Sequence, residues 1–128
     1  MRCLDATYLI DYLEGQPAAV EKMREWTSLA ERLTSPAPAA AELLLGAYFE
    51  GGKALSEALG LLETVEVLPV DAPVATEAAQ LGAELLRRGA AVPMVDLLIA
   101  ATARFHRGVL VSRDTGFGRI AGLAVETY

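Results

Sequence analysis

The alternation of short apolar runs with longer helical segments most constrains how this chain can fold. Runs typical of buried strands lie at residues 1–5, 34–36, 65–70, 108–112 and 123–128, with helical segments between them. Helical connections of about 10 to 18 residues favour parallel pairing of the strands through right-handed crossovers. The sequence therefore predicts an α/β fold: a three-layer α/β/α sandwich around a central parallel sheet of four to five strands.

The helical segments carry start and stop signals. Pro17 begins a predicted amphipathic helix over 17–33, whose apolar face is formed by Val20, Met23, Trp26 or Thr27, and Ala30. Glycines are expected to end the helices over 6–15, 38–52 and 72–89, and Asp71 is expected to cap the last of these. The other predicted helices cover 53–65 and 94–105, with a short helical turn at 115–120.

Size and composition limit the class of protein. With 128 residues, the chain is expected to form a single domain over 1–128. The apolar fraction of 53% favours a self-association surface, yet no apolar run has the length of a membrane span. Asp5 and Asp11 interrupt the only stretch that resembles a signal peptide, so we expect a cytoplasmic protein. Cys3 lies in an apolar segment and is expected to be a buried free thiol.

The net charge restricts the possible partners. Eleven basic and 17 acidic residues give a formal charge of −6, which opposes broad, non-specific binding to nucleic acid. It does not exclude an enzyme whose acidic site is offset by divalent cations, because such a site itself contributes several negative charges.

Four acids are placed where a parallel α/β sheet forms its sites. Asp5 ends the first predicted strand, Asp114 closely follows the fourth, and Glu42 and Asp96 lie near the starts of helices. These positions face the edge formed by the carboxyl ends of the strands. No charged residue lies three or four positions from Glu42 or Asp96, so neither has a basic partner on its own helix. Four carboxylates at one edge would repel each other unless a cation lay between them.

Magnesium or manganese is the simplest such cation, because both prefer oxygen ligands and bind through a few carboxylates. His106 and Cys3 are the only softer ligands, which argues against a structural zinc site. His106 is expected to lie at a helix end instead. Three of the acids also have a structural alternative: Asp5 as the cap of the following helix, Asp96 as a charge at a helix N-terminus, and Asp114 as a turn residue. A purely solvated position is less natural for Glu42.

Four segments together resemble a known family. In their order and spacing, "LDATYLIDYLEG", "AAELLLGA", "PMVDLLIAATA" and "LVSRDTGFGRIAGLAVETY" are similar to PIN-domain ribonucleases, in particular to the VapC-like toxins of toxin–antitoxin pairs. The resemblance covers essentially the whole chain. It implies that the family's metal-binding acids correspond to Asp5, Glu42, Asp96 and Asp114, and that two small hydroxyl residues match Thr7 and Ser112. Many relatives carry a further Asp where this chain has Met94.

The resemblance implies a metal-dependent endoribonuclease that uses Mg²⁺ or Mn²⁺, is inhibited by a cognate antitoxin and forms a homodimer. No residue of the chain resembles part of a Ser-His-Asp or Cys-His nucleophile set, so water is the expected nucleophile. Arg113, next to Asp114, is the preferred candidate for a phosphate contact. Arg104 and Arg107 are alternatives close to the site in sequence, whereas Arg87 and Arg88 are expected to form a solvated helix end. Trp26 is expected to pack in the core or face a partner.

Other functions remain open from the sequence alone. A catalytically silent PIN-like module that binds only a protein partner predicts the same fold without metal-dependent activity. A receiver domain or a haloacid-dehalogenase-like phosphatase also uses an acidic strand end, but such a phosphatase needs a second Asp where this chain has Thr7. A flap or DNA-end nuclease of the wider PIN group usually carries extra helices for which this chain has no room.

Overall fold

A central sheet with helices on both faces organises the chain. The computed structural model describes residues 1–128. In chain order the elements are β1 (Arg2–Leu4), α1 (Ala6–Leu13), α2 (Pro17–Ser28), β2 (Leu33–Pro36), α3 (Ala37–Glu50), α4 (Gly52–Thr64), β3 (Glu66–Leu68), α5 (Ala72–Arg87), α6 (Met94–Phe105), β4 (Val109–Val111), a 3₁₀ turn (Thr115–Arg119) and β5 (Ala124–Glu126).

The five strands form one sheet in the order β3-β2-β1-β4-β5, and every neighbouring pair is parallel. Successive side chains of a strand point to opposite faces. Accordingly, Cys3 and Leu110 belong to a core that includes Leu97 of α6, whereas Leu4 and Val111 belong to a second core that includes other helices. The predicted α/β/α architecture with a parallel central sheet is confirmed.

The predicted helix over 17–33 is too long. α2 ends at Ser28, Ala30 is exposed with a φ of 52°, and Leu33 already pairs with Arg2 in the sheet. Helical periodicity continues through this segment, but pairing of β2 beside β1 requires an extended backbone. Tertiary pairing therefore overrides the local helical preference.

The other local predictions agree closely with the structure. The Asp71 carboxylate accepts a hydrogen bond from the Val74 backbone N–H and caps α5. Glycines with positive φ follow α1, α3 and α5, at Gly15, Gly51 and Gly89. Cys3 is a buried free thiol, as expected. None of the helices combines the length and apolar character required to cross a bilayer.

The parallel topology fixes which residues meet at one edge of the sheet. Asp5 directly follows β1 and Ser112 directly follows β4, and these strands are neighbours. The Asp5 backbone N–H donates to the Val111 carbonyl at 3.0 Å, so the two strand ends are joined. α3 begins where β2 ends, which brings Glu42 to the same region.

Candidate active site

Asp5 is the most buried of the four predicted site acids, with 4% of its surface exposed. It occupies the position before α1 but its side chain makes no capping hydrogen bond, so the simple helix-cap interpretation of this residue is wrong. The Ser112 hydroxyl donates to Asp5 Oδ2 at 2.7 Å, and the Thr7 hydroxyl donates to the same oxygen at 3.2 Å. The carboxylate is thus held by two hydroxyls, one from the first turn of α1 and one from the end of β4.

Ser112 and Thr7 also fix the loop that follows β4. The Ser112 oxygen accepts the Asp114 backbone N–H at 3.0 Å, and the Thr7 oxygen accepts the Arg113 backbone N–H at 3.1 Å. The two hydroxyl oxygens lie 3.3 Å apart. Residues 5, 7 and 112–114 therefore form one continuous hydrogen-bonded unit, although more than a hundred positions of sequence separate its two halves.

Glu42 and Asp96 approach this unit from α3 and α6. Burial raises the pKa of the Glu42 carboxyl, and the charges of Asp5 and Asp96 raise it further. Burial likewise raises the pKa of Asp96, with added repulsion from Asp114 and Asp5. Burial also raises the pKa of Asp5, although the hydrogen bonds from Ser112 and Thr7 oppose that effect. Glu42 thus lies within electrostatic range of Asp5 and Asp96, and those two acids lie within range of Asp114.

Asp114 has a structural contact as well. Its side chain caps the 3₁₀ turn by accepting the Gly116 backbone N–H at 2.8 Å through Oδ1. That contact uses one carboxylate oxygen and leaves Oδ2 free of protein hydrogen bonds, and the residue is exposed. A turn contact and a site contact are therefore compatible at this position.

The carboxylates have no cationic partners within the protein. None of the four takes part in an ion pair. No three acidic, histidine or cysteine side chains converge closely enough to form a ready coordination shell. The donor set is nevertheless all oxygen, which suits a hard cation that keeps several of its waters and binds through one or two carboxylates. These residues fit such a cation with water filling the remaining positions.

Not every arginine that is close to the site acids in sequence lies close to them in the structure. Arg113 lies beside the site and forms an ion pair with Asp11 at 3.3 Å. Arg104 lies at the opposite end of α6 from Asp96, where it pairs with Glu77 at 2.9 Å, so its nearness to the site in sequence is misleading. Arg107 follows the same distal end of α6. Arg88 pairs with Glu84 within α5, as an exposed helix end does.

Two further expectations concern single side chains. Trp26 is 1% exposed and lies against Tyr8 with ring centroids 5.2 Å apart, so it is a core residue. His106 is exposed and caps the C-terminus of α6, far along the helix from Asp96.

Asp11 is a residue near the site that the sequence patterns do not single out. It is 5% exposed and contacts both Arg113 and Tyr128. α1 contains no basic residue that could pair with this acid. An acid on an apolar helix without a local partner needs one from elsewhere in the fold, so this pattern carries a signal for Asp11 as it does for Asp96.

An acidic cavity of about 360 Å³ adjoins the site. Its apolar wall is formed by α1, α3 and α4, and four carboxylates surround it: Glu14, Glu42, Glu50 and Glu57. Because Glu42 belongs to both, the cavity and the carboxylate edge form one continuous surface. This surface suits a ligand that combines apolar and basic groups.

Comparison with known proteins identifies the family. Residues 2–123 match the family model described as the PIN domain. The chain belongs to the PIN domain family. The resemblance to PIN-domain, VapC-like proteins that the four sequence segments indicated is thereby confirmed.

Individual relatives agree with this assignment. This PIN domain is 37% identical over 70 residues to the tRNA(fMet)-specific endonuclease VapC of Shigella flexneri. The matched region covers 54% of this chain and 53% of that protein. The match thus spans about half the length of the curated relative. A crystal structure of VapBC2 from Rickettsia felis, bound to a promoter DNA fragment, superposes with a TM-score of 0.88 at 20% identity, covering 99% of this chain and 98% of that chain.

A third relative is 31% identical. It is a Mycobacterium tuberculosis structure, VapBC-5, described as a member of the VapBC family of toxin–antitoxin systems; the TM-score is 0.60, and the match covers 75% of this chain and 80% of that chain. The fold of this PIN domain is therefore that of VapBC structures.

Proposed function

We propose that this PIN domain is a metal-dependent endoribonuclease that hydrolyses RNA phosphodiester bonds, and that it acts in the cytoplasm as the toxin of a type II toxin–antitoxin pair. The observation that carries the proposal is the group of four carboxylates at one sheet edge, none of which has a cationic partner in the protein; burial and neighbouring acids raise the pKa of Asp5, Glu42 and Asp96. The similarity to an endonuclease specific for tRNA(fMet) supports RNA as the substrate class.

The proposed roles follow from the positions of the side chains. Asp5, Glu42 and Asp96 hold a Mg²⁺ or Mn²⁺ ion directly or through water, and Asp114 holds a second ion or an ordered water. Thr7 and Ser112 orient the Asp5 carboxylate through their hydrogen bonds. When bound, such a cation activates water and stabilises the negative charge that develops on a phosphate during in-line displacement.

RNA cleavage with and without divalent metal tests the proposal. Wild-type protein is expected to cleave RNA in Mg²⁺ or Mn²⁺ buffer and to be inactive in EDTA, and Asp96→Asn is expected to lose at least about a hundredfold in rate. Glu84→Gln, which alters an exposed acid of α5, is the matched control and should cleave like wild type. Equal cleavage by wild type and Asp96→Asn would contradict the mechanism.

Calorimetry separates this function from its main alternative. Mn²⁺ is expected to release or absorb heat on binding to wild type and much less on binding to Asp96→Asn. If wild type leaves RNA uncleaved and shows no heat of Mn²⁺ binding, the protein is instead a catalytically silent PIN module that binds a protein partner.

An antitoxin segment is the proposed occupant of the cavity beside Glu42. The four surrounding carboxylates and the apolar wall favour a segment with both apolar and basic side chains. Relatives of this fold are described as VapBC complexes and as members of toxin–antitoxin systems. Co-expression with the protein encoded by the adjacent open reading frame should give a stable complex with suppressed ribonuclease activity; an adjacent product that neither binds nor inhibits would contradict this partner.

A homodimer is proposed from the exposed apolar face of α3. Leu45, Tyr48 and Phe49 are 74%, 62% and 92% exposed, and their spacing places them on one side of the helix. Contiguous apolar surface of this kind is typical of a protein interface. Sedimentation equilibrium should give twice the mass of one chain, and a monomer at micromolar concentration would contradict the proposal.

A further inference from the structure

Arg113 forms no ion pair with any of the four site carboxylates. It immediately precedes Asp114, and its backbone N–H is bonded to Thr7 within the site unit. Yet its only ion pair is with Asp11, between Nη1 and Oδ1 at 3.3 Å. An arginine beside several unpaired carboxylates is expected to fold onto them and to occupy the position of the metal cation. Something in the fold therefore holds the guanidinium away from that position.

Asp11 is suited to hold the guanidinium because it is itself immobilised. Its side chain is 7% exposed, and its second oxygen, Oδ2, accepts the Tyr128 hydroxyl at 2.6 Å. The Tyr128 ring stands edge-on against the Tyr8 ring at 5.1 Å, and the Tyr8 hydroxyl donates to the Ala19 carbonyl at 2.8 Å. A buried carboxylate with both oxygens engaged provides a fixed anchor.

The anchored guanidinium still has unused donors. Arg113 carries five N–H donors, and its ion pair with Asp11 is formed through Nη1. The side chain is 63% exposed, so the remaining donors face solvent at the rim of the carboxylate edge. Planar guanidinium groups bind phosphate oxygens well, and losing less side-chain freedom on binding increases their affinity.

We propose that Asp11 and Tyr128 are positioning residues that hold Arg113 at the rim of the site, where it binds a phosphate of the RNA and stays out of the cation position. This inference rests on the proposed ribonuclease function. Asp11 acts through Arg113 and does not itself contact the substrate. Tyr128 acts one step further away by fixing the Asp11 carboxylate.

Steady-state kinetics on a fluorogenic single-stranded RNA in Mg²⁺ test the positioning role. Arg113→Gln is expected to raise KM roughly tenfold or more, with a smaller change in kcat, since one charged hydrogen bond is lost. Asp11→Asn should raise KM about three- to tenfold and Tyr128→Phe about two- to threefold, because both leave the arginine present but less well placed. Arg113→Lys should recover part of the affinity.

A double-mutant cycle distinguishes positioning from a purely structural effect. In an Arg113→Gln background, Asp11→Asn should change KM no further. Two controls each break an arginine–carboxylate pair elsewhere: Glu77→Gln, paired with Arg104, and Arg32→Gln, paired with Glu66; both should leave KM unchanged. Independent, multiplicative effects of Asp11→Asn and Arg113→Gln would overturn the proposal, as would an equal KM increase in Glu77→Gln.

NMR of the arginine side chain gives a readout that does not require RNA cleavage. In wild type, the Arg113 Nε–H signal should show restricted motion, and this restriction should be lost in Asp11→Asn and reduced in Tyr128→Phe. Tyr128→Phe keeps the aromatic packing, so it remains informative if Asp11→Asn does not fold. A wild type that cleaves no RNA would refute the proposed function, whereas unchanged Arg113 motion in a folded Tyr128→Phe and Asp11→Asn would refute the positioning itself.

Discussion

At the scale of single residues, the site combines rigid support with electrostatic repulsion. Ser112 and Thr7 fix the Asp5 carboxylate by hydrogen bonds, while Glu42 and Asp96 approach it without any basic partner. Like charges held close together reduce the stability of the folded state, and functional sites commonly retain this cost because the ligand relieves it. Removing one of these charges should therefore stabilise the metal-free protein.

Asp96→Asn is expected to raise the stability of the metal-free protein by about 0.5 to 2 kcal/mol at neutral pH, or about 2 to 8 °C in Tm. Burial and repulsion raise the Asp96 pKa above its ordinary value of 3.8. The folded protein therefore binds this proton more tightly than the unfolded chain does. As pH rises above the ordinary pKa, the ionised Asp96 carboxylate lowers the free energy of unfolding. The stability advantage of the variant should thus grow as pH rises above about 4.

Thermal unfolding in EDTA at several pH values measures this difference. Glu63→Gln, which alters an exposed acid of α4 without an ion pair, is the matched control and should show no such trend. Mn²⁺ should raise the Tm of wild type more than that of Asp96→Asn. A variant that is less stable than wild type in EDTA at neutral pH would contradict the repulsion account.

At the scale of elements, the close packing of α6 against α5 sets the position of the first turn of α6, which carries Asp96. Gly82 of α5 is buried, and a Cβ at this position would lie 2.8 Å from Leu97 Cδ1. Leu97 follows Asp96 directly, so the small residue in α5 allows the first turn of α6 to sit against the sheet. Gly60 of α4 has no neighbour within 4 Å of such a Cβ, so its replacement meets open space.

The same substitution should therefore have opposite effects in the two helices. Gly60→Ala is expected to stabilise the protein by about 0.5 to 1 kcal/mol, because alanine favours the helix more than glycine does. Gly82→Ala gains the same preference but overpacks the core at a cost of about 1 to 3 kcal/mol, which leaves a net loss of up to about 2.5 kcal/mol. Urea denaturation measures both, and equal stabilisation by the two variants would show that Leu97 moves aside freely.

At the scale of the whole molecule, the negative charge restricts how RNA is bound. With a net charge of −6, the protein lacks the broad basic surface that dominates most nucleic-acid binding. Many basic side chains are also engaged in ion pairs, among them Lys22, Arg24, Arg32, Arg88 and Arg104. Affinity for RNA is therefore expected to depend on the divalent cation and a few defined contacts.

A shallow dependence on monovalent salt is the expected consequence. In a plot of the logarithm of affinity against the logarithm of salt concentration, each phosphate contact to a single strand contributes about 0.7 to the magnitude of the slope. One dominant contact therefore predicts a slope of magnitude about 1. KM measured across a series of KCl concentrations at fixed Mg²⁺ determines this slope. A magnitude of about 4 or more would reveal an extended basic interface and contradict this picture.

The sequence by itself determined the layered fold and the identity of the candidate acids. Alternating strands and helices imply parallel pairing, and parallel pairing brings strand ends such as Asp5 and Ser112 to one edge. Helix 94–105, the Asp71 cap and the burial of Cys3 also followed from local signals, because periodicity and capping act over a few residues.

Only the tertiary structure decided which residues support that edge. The end of α2 was set by pairing of Leu33 with Arg2, and the partner of Arg113 turned out to be Asp11, on a helix distant in sequence. Arg104, close to Asp96 in sequence, lies at the far end of the same helix. Hydrogen bonds and ion pairs between distant segments depend on distances of a few ångströms, and local sequence patterns carry no record of those distances.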